Sequence, residues 1–186
     1  MESILVTAPE VQPVTLDDVK DHLRIGIAEV DQDYYLQGLL YSALYSAVDQ
    51  IEKKTNRKLI TQTVDVLVES WRETWQVLPY GQIQSISYIE CIDVDGNTQV
   101  IPQDCYVLSF SGTDSARIVF NDKLNLPIIL IGSQITIRLI CGYGEAGSNV
   151  PASIRAAIKL LVGDMFDGED STLAVDRLLM PYRLWG

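Results

Sequence analysis

One histidine, three cysteines and only 14 lysines and arginines against 25 aspartates and glutamates occur in this 186-residue sequence. Each shortage excludes a class of function. With His22 as the sole histidine, any Ser-His-Asp or Cys-His centre, or a histidine-rich metal site, rests on that one side chain. It sits beside Asp18 and Asp21 in a short charged stretch, which reads as a partly exposed structural histidine. The cysteines, Cys91, Cys105 and Cys141, are odd in number, far apart and without CxxC spacing. Neither a disulfide framework nor a zinc or redox motif fits them, and reduced thiols in a cytosolic chain are expected. The net charge of −11 disfavours non-specific binding to DNA or anionic membranes. No apolar run reaches the ~18 residues of a membrane span. Met1 to Thr7 lacks the basic start of a signal peptide, and the chain carries no repeat or low-complexity tract.

What is present is the composition of a globular chain, 47% hydrophobic and 21% charged. A chain of this size buries a core without help from metal or disulfide. Residues 1–13 read as an extended arm, with Pro9 and Pro13 restricting the backbone. Thr15 reads as a helix N-cap, with Asp18 completing a capping box and Val14 and Val19 a hydrophobic staple. That helix shows Leu16, Val19 and Leu23 on one face and ends near Gly26. Asp31 caps a longer helix whose apolar period runs through Leu36, Leu39, Leu40, Ala43, Leu44, Ala47, Val48 and Ile51. Lys53, Lys54, Arg57 and Lys58 close it, complementing the helix dipole.

From Leu59 the period changes to two. Strands are predicted over residues 61–68, 83–94, 106–110, 116–120 and 134–141, with Asp95-Gly96 turning a hairpin that resumes through Val100. No helical stretch separates them, so the middle is an antiparallel lobe. After Pro151 a helix carries Ile154, Ala157, Ile158, Leu161 and Met165 as a stripe. Gly168 to Asp170 breaks it, and Ser171 starts a last helix stopped by Pro181. The fold class is α+β: N- and C-terminal helices pack together, with a central antiparallel β insertion. The expected organisation is one domain over 1–186, helical over 14–58 and 150–186 and β-rich over 59–141.

Three motifs suggest chemistry. Gly142-Tyr143-Gly144-Glu145-Ala146-Gly147 matches G-x-G-x-x-G after a predicted strand. No second parallel strand follows, four residues part Gly147 from the helix at Pro151, and Glu145 would face a pyrophosphate, so it reads as a turn. Asp93-Val94-Asp95-Gly96-Asn97 superficially matches a calcium loop. Its glycine comes too early and strands flank it, so it reads as a hairpin turn. The basic cluster Lys53, Lys54, Arg57, Lys58 is either a dipole-compensating helix end or a contact for another subunit or partner. No catalytic, cofactor or metal site is predicted.

The order of motifs resembles the head–tail connector (head-completion adaptor) family of tailed phages. Val14-Thr15-Leu16-Asp17-Asp18-Val19-Lys20-Asp21-His22-Leu23-Arg24 resembles the family's opening helix. Thr55-Asn56-Arg57 and then Leu59-Ile60-Thr61-Gln62-Thr63 resemble its turn and first strand. Gly142-Tyr143-Gly144, Val150-Pro151, the helix from Ile154 to Val162, and Leu178-Leu179-Met180-Pro181-Tyr182-Arg183 follow in family order. Gly168-Glu169-Asp170 departs from the basic residue members often carry there.

The resemblance implies a virion protein, assembled in the bacterial host cytoplasm into a homo-oligomeric ring under the portal. Its partners would be the portal protein, the next neck or tail component and other copies of itself, with DNA passing through the channel unbound and no membrane involved. Another ring-forming neck or tail-completion protein, or an enzyme of unknown type, are the alternatives. After Pro181 the sequence reads as an extended tail whose apolar and aromatic side chains bury either on the chain's own β lobe or on the portal, and Tyr182, Arg183, Leu184 and Trp185 are the candidate portal contacts.

Overall fold

The computed structural model describes residues 1–26, 34–74, 77–111, 115–121 and 125–184. They fall into two compact units. One holds Met1–Pro9, Thr61–Tyr143 and Leu184–Gly186, and the other holds Glu10–Ile60 and Gly144–Arg183.

The first unit is the β unit. Strands β1 (Glu2–Thr7), β2 (Gln62–Val68), β3 (Ile83–Ile92), β4 (Thr98–Val100) and β7 (Ile135–Cys141) form a five-stranded antiparallel sheet in the order β1-β2-β7-β3-β4. Strands β5 (Tyr106–Ser111) and β6 (Ser115–Phe120) make a separate hairpin. Period-two patterning works as expected: in β2 and β7 alternate residues are buried, Val64, Val66 and Val68 against Ile135, Ile137 and Leu139. One core continues through Ile86, Ile89, Cys91, Tyr106 and Ile118.

Residues 1–13 differ from the extended arm expected. Glu2–Thr7 pairs with β2 as an edge strand, with a register irregularity between Leu5 and Thr7. The pairing partner lies about sixty residues away, which local patterning cannot see, and every side chain of the strand stays exposed. The short helix α3 (Trp71–Thr74) was also absent from the sequence reading. Its Trp71 packs edge-on against Phe120, ring centroids 5.8 Å apart, and donates its indole N–H to the carbonyl of Pro127 at 2.8 Å.

The second unit is helical: α1 (Leu16–Leu23), α2 (Tyr34–Thr55), α4 (Ala152–Asp167) and α5 (Thr172–Leu179). Thr15 caps α1 in the predicted box, its hydroxyl accepting the Asp18 N–H while Asp18 accepts the Thr15 N–H, each at 3.1 Å. Val14 and Val19 of the staple are both buried. The helix ends at Leu23 rather than Gly26, because Arg24 itself takes the left-handed conformation and closes the turn. The expected cap Asp31 lies outside the described residues. Helix α2 packs on α4, and α4 on α5 and α1, around Leu40, Leu44, Ala47, Ile51, Ile154, Ala157, Ile158, Val175 and Leu179. On α4 the buried stripe is rotated from the one predicted. Val162 and Gly163 are inside, Leu161 is half-buried and Met165 is exposed.

Candidate functional site

The two groups of candidate residues picked out in the sequence, the basic cluster and the segment after Pro181, meet at one place in the helical unit. Arg57 is buried and its Nε donates to the carbonyl oxygen of Tyr182 at 2.5 Å. Lys54 and Arg183 both reach Asp176 on α5, at 2.7 and 2.9 Å. Those bonds, the one from Lys54 first, hold the Asp176 carboxyl below the ordinary carboxylate range. Lys58 pairs with Glu52 at 2.8 Å, and the same carboxylate accepts the N–H of Leu59. Lys53 pairs with Asp49 at 2.7 Å, and both side chains are exposed.

The cluster is therefore first a lock on the end of α2, which stops where Asn56 enters the left-handed region. Lys53 is its most accessible cation. The segment after Pro181 is likewise tethered rather than an extended tail: Met180–Tyr182 forms a 3₁₀ turn, and Tyr182, Arg183 and Leu184 are half-buried. The cause is a pair of contacts: the Tyr182 carbonyl to Arg57, 125 positions away, and Arg183 to Asp176, seven positions away and itself held by Lys54. Trp185 lies outside the described residues.

The other motifs turn out to be structural. Around Gly142-Tyr143-Gly144 a side chain on Gly144 would strike Asn149 at 2.7 Å, and one on Gly147 would strike the Pro13 carbonyl at 2.7 Å. Asn149 itself accepts the N–H of Ala146 at 3.1 Å, so the turn is braced from within. Asp93 spends its carboxylate on its own hairpin, accepting from Asp95, Asn97 and Gln99 at 2.8–3.0 Å. The Gly168-Glu169-Asp170 loop is a helix-start device: Asp164 accepts the Ser171 N–H and Asp170 accepts that of Thr172. His22 is exposed beside an open groove of about 380 Å³ lined by Arg24, Leu160, Gly163, Asp167 and Glu169 among others. Among the described residues no group of three or more His, Cys, Asp or Glu stands close enough to hold a metal ion. No described helix is long and apolar enough to cross a membrane.

Two surfaces escaped the sequence reading. On the β unit, the segment Pro127–Ser133 runs beside the end of β3 through the antiparallel bridge Asp93↔Ile129. Backbone bonds Val94 to Ile128 at 3.2 Å and Leu130 to Ile92 at 2.9 Å hold it there. The register puts Ile92, Val94, Ile128, Leu130 and, across β4, Val100 on one face, and all five are 38–74% exposed. On the helical unit, Tyr34, Tyr41 and Tyr45 stand exposed along one face of α2. Residues 125–137 carry no charge and Ile128–Ile131 is wholly aliphatic, so the sequence reads as core. Only its position beyond the sheet leaves one face uncovered.

No protein-family model matches the chain, and no curated protein matches it. Solved structures do. A chain from the neck of an empty GTA particle, computed with C6 symmetry, superposes with a TM-score of 0.81 at 22% identity, covering 100% of this chain and 97% of that one. A chain from the virion of a native gene transfer agent (GTA) particle gives 0.80 at 22% identity, with the same coverage. One from the neck of a native GTA particle, computed with C12 symmetry, gives 0.75 at 20% identity, again with 100% and 97% covered. The chain therefore shares, end to end, the α+β fold of virion neck chains.

Proposed function

We propose that this chain is a non-enzymatic structural component of the neck of a phage-like particle, and more finely a head–tail connector that forms a homo-oligomeric ring under the portal. The observation that carries the reading is the likeness to neck chains over 100% of this chain and 97% of theirs. The ordered run of connector-like motifs from Val14 to Arg183 supports the finer assignment. In this reading both units form one connector domain. DNA passes the ring without being held, because a chain at −11 cannot neutralise phosphate by counterion release. The portal contact falls on the segment Tyr182, Arg183, Leu184 and Trp185, in which Tyr182 and Arg183 also reach Arg57 and Asp176. Lys53 remains for a neighbouring subunit or partner.

The test is attachment. The purified chain is added to DNA-filled heads that lack it, and the necks are imaged by electron microscopy. A ring of this chain beneath the portal is expected. Its appearance elsewhere in the neck would favour another ring-forming neck or tail-completion role, and failure to join any particle would overturn the reading.

A further inference from the structure

Strand β1 is attached to its sheet without entering the core. All six of its side chains, Glu2 to Thr7, stay exposed, whereas β2 and β7 bury every second residue. What holds it is the antiparallel ladder to β2, from Glu2↔Leu67 to Thr7↔Thr63, and a hydrogen bond of 2.5 Å between Ser3 Oγ and the Tyr80 hydroxyl. The ladder is interrupted by the register irregularity between Leu5 and Thr7. A strand that buries no side chain is the easiest part of a sheet to open, because only hydrogen bonds that water can replace oppose its release.

The segment that follows has the build of a hinge. Residues 8–15 form neither helix nor strand, and between Pro9 and Glu10 the chain passes from the β unit to the helical unit. Beyond it the backbone is fixed: Pro13 and Val14 are buried, and the Pro13 carbonyl lies where a side chain on Gly147 would strike it. That leaves Ala8–Gln12 as the free span, roughly 17 Å long when extended. Pro9 within it and Pro13 at its end restrict the backbone and oppose folding back. Short, stiff hinges of this kind invite the exchange of an element between copies.

We propose that copies of this chain are joined in the neck by exchange of β1, each copy laying Glu2–Thr7 along the β2 edge of the next. This rests on the ring reading and names its interface. The occupant is a second copy because the β1–β2 ladder itself shows which sequence fits the β2 edge and in which register, and a second copy carries that same strand. Exchange replaces every contact of the ladder by its duplicate. The carboxylates near the edge, Glu2, Asp65 and Glu69 among them, therefore meet the same neighbours as within one chain, and Asp65 keeps Arg138. Donor strand and acceptor edge are different surfaces, so the contact is heterologous, and a closed ring leaves no β2 edge empty. Ile4, Leu5 and Val6, 41–53% exposed in the single chain, then stand at the junction of two copies.

The test is a disulfide across the ladder in assembled particles. Glu2 and Leu67 are directly opposed, a spacing that a disulfide spans. Chains carrying Glu2→Cys and chains carrying Leu67→Cys are assembled together into necks and oxidised. Only an exchanged strand brings the two thiols together, so a covalent dimer is expected from the mixture and none from either variant alone or from the wild type. The double variant Glu2→Cys/Leu67→Cys should give a series of linked multimers. Internally bridged monomers from the double variant, with no dimer from the mixture, would show β1 folded on its own chain and overturn the proposal while the neck reading stands. A second measurement removes residues 1–7. The shortened chain loses no buried side chain and should melt close to the full chain, yet be lost from necks; its normal incorporation would equally overturn the proposal. Wild-type chain absent from every particle would overturn the neck reading and the exchange with it.

Discussion

Asp65 on β2 and Arg138 on β7 face each other in register and form a two-pronged pair, Nε to Oδ1 and Nη2 to Oδ2, both at 2.7 Å. The guanidinium also lies 4.8 Å from the centre of the Tyr88 ring. Both partners are largely covered, so the carboxylate raises the arginine's proton affinity further above its already high value. The pair ties the middle three strands of the sheet together on the face opposite the core.

Replacing Asp65 with alanine should therefore cost about 1.5–3 kcal/mol, the range for hydrogen bonds to charged groups. Arg138→Lys should recover only part of the wild-type stability, since an ammonium cannot fork to both oxygens while its charge lies over the Tyr88 ring. Urea unfolding of the two single variants and the double variant measures the coupling. A coupling near zero would show the pair to be incidental.

The capping box of α1 gives a pH prediction. The hydroxyl of Thr15, then its backbone N–H, hold the Asp18 carboxyl below its ordinary value of 3.8, with Lys159 and Arg155 adding to the effect. A carboxyl depressed in the folded state favours folding above the unfolded value and loses that contribution as pH falls through the folded value. Stability should thus be flat above pH ~5 and decline below ~4, with part of the decline absent in Asp18→Asn. Thr15→Ala should cost about 1 kcal/mol at neutral pH. Thermal melts between pH 2 and 7 test both.

How far the sequence could be read follows from where each signal lies. The capping box, the α2 helix with Leu40, Leu44, Ala47 and Ile51 inside, the hairpin at Asp95-Gly96 and the alternation of β2 and β7 are local patterns that form where the pattern puts them, although Leu39 of the α2 period stands exposed. Strand β1 escapes local patterning because its partner among the described residues, β2, is distant in sequence, and Trp71–Thr74 because four residues carry too little period. The basic cluster and the Tyr182–Arg183 segment were legible as residues but not as neighbours, since their meeting depends on how α5 packs. The apolar corner was invisible for the converse reason: an aliphatic run is what a buried strand looks like.

The pairing of α2 and α4 predicts a contrast between neighbours. Ile158 is fully buried, so Ile158→Ala should cost about 2–5 kcal/mol. Leu161 is half-buried, so Leu161→Ala should fall well below that range. Equal costs would mean the helix sits rotated by most of a residue from the position described.

Duplex DNA should bind weakly even in low salt. Of the clustered cations, Arg57 is internal and Lys53, Lys54 and Lys58 are paired with Asp49, Asp176 and Glu52. Binding through counterion release needs several cations free to face phosphate. Tight, salt-sensitive binding in a mobility-shift assay would contradict this and assign Lys53 to Lys58 a nucleic-acid role.

The segment from Tyr182 onward can be dissected by two truncations. Ending the chain after Met180 removes the Tyr182 carbonyl that accepts from buried Arg57 and the Arg183 guanidinium that pairs with Asp176. A buried guanidinium left without that acceptor is costly, so the melting temperature should drop by several degrees. Ending it after Arg183 keeps both contacts and removes Leu184, Trp185 and Gly186. If those residues dock on the portal, this shorter deletion should melt like the full chain yet fail to attach to DNA-filled heads. Equal loss of stability in both truncations would place Leu184 and Trp185 in the chain's own core, and normal attachment after the shorter deletion would move the portal contact elsewhere.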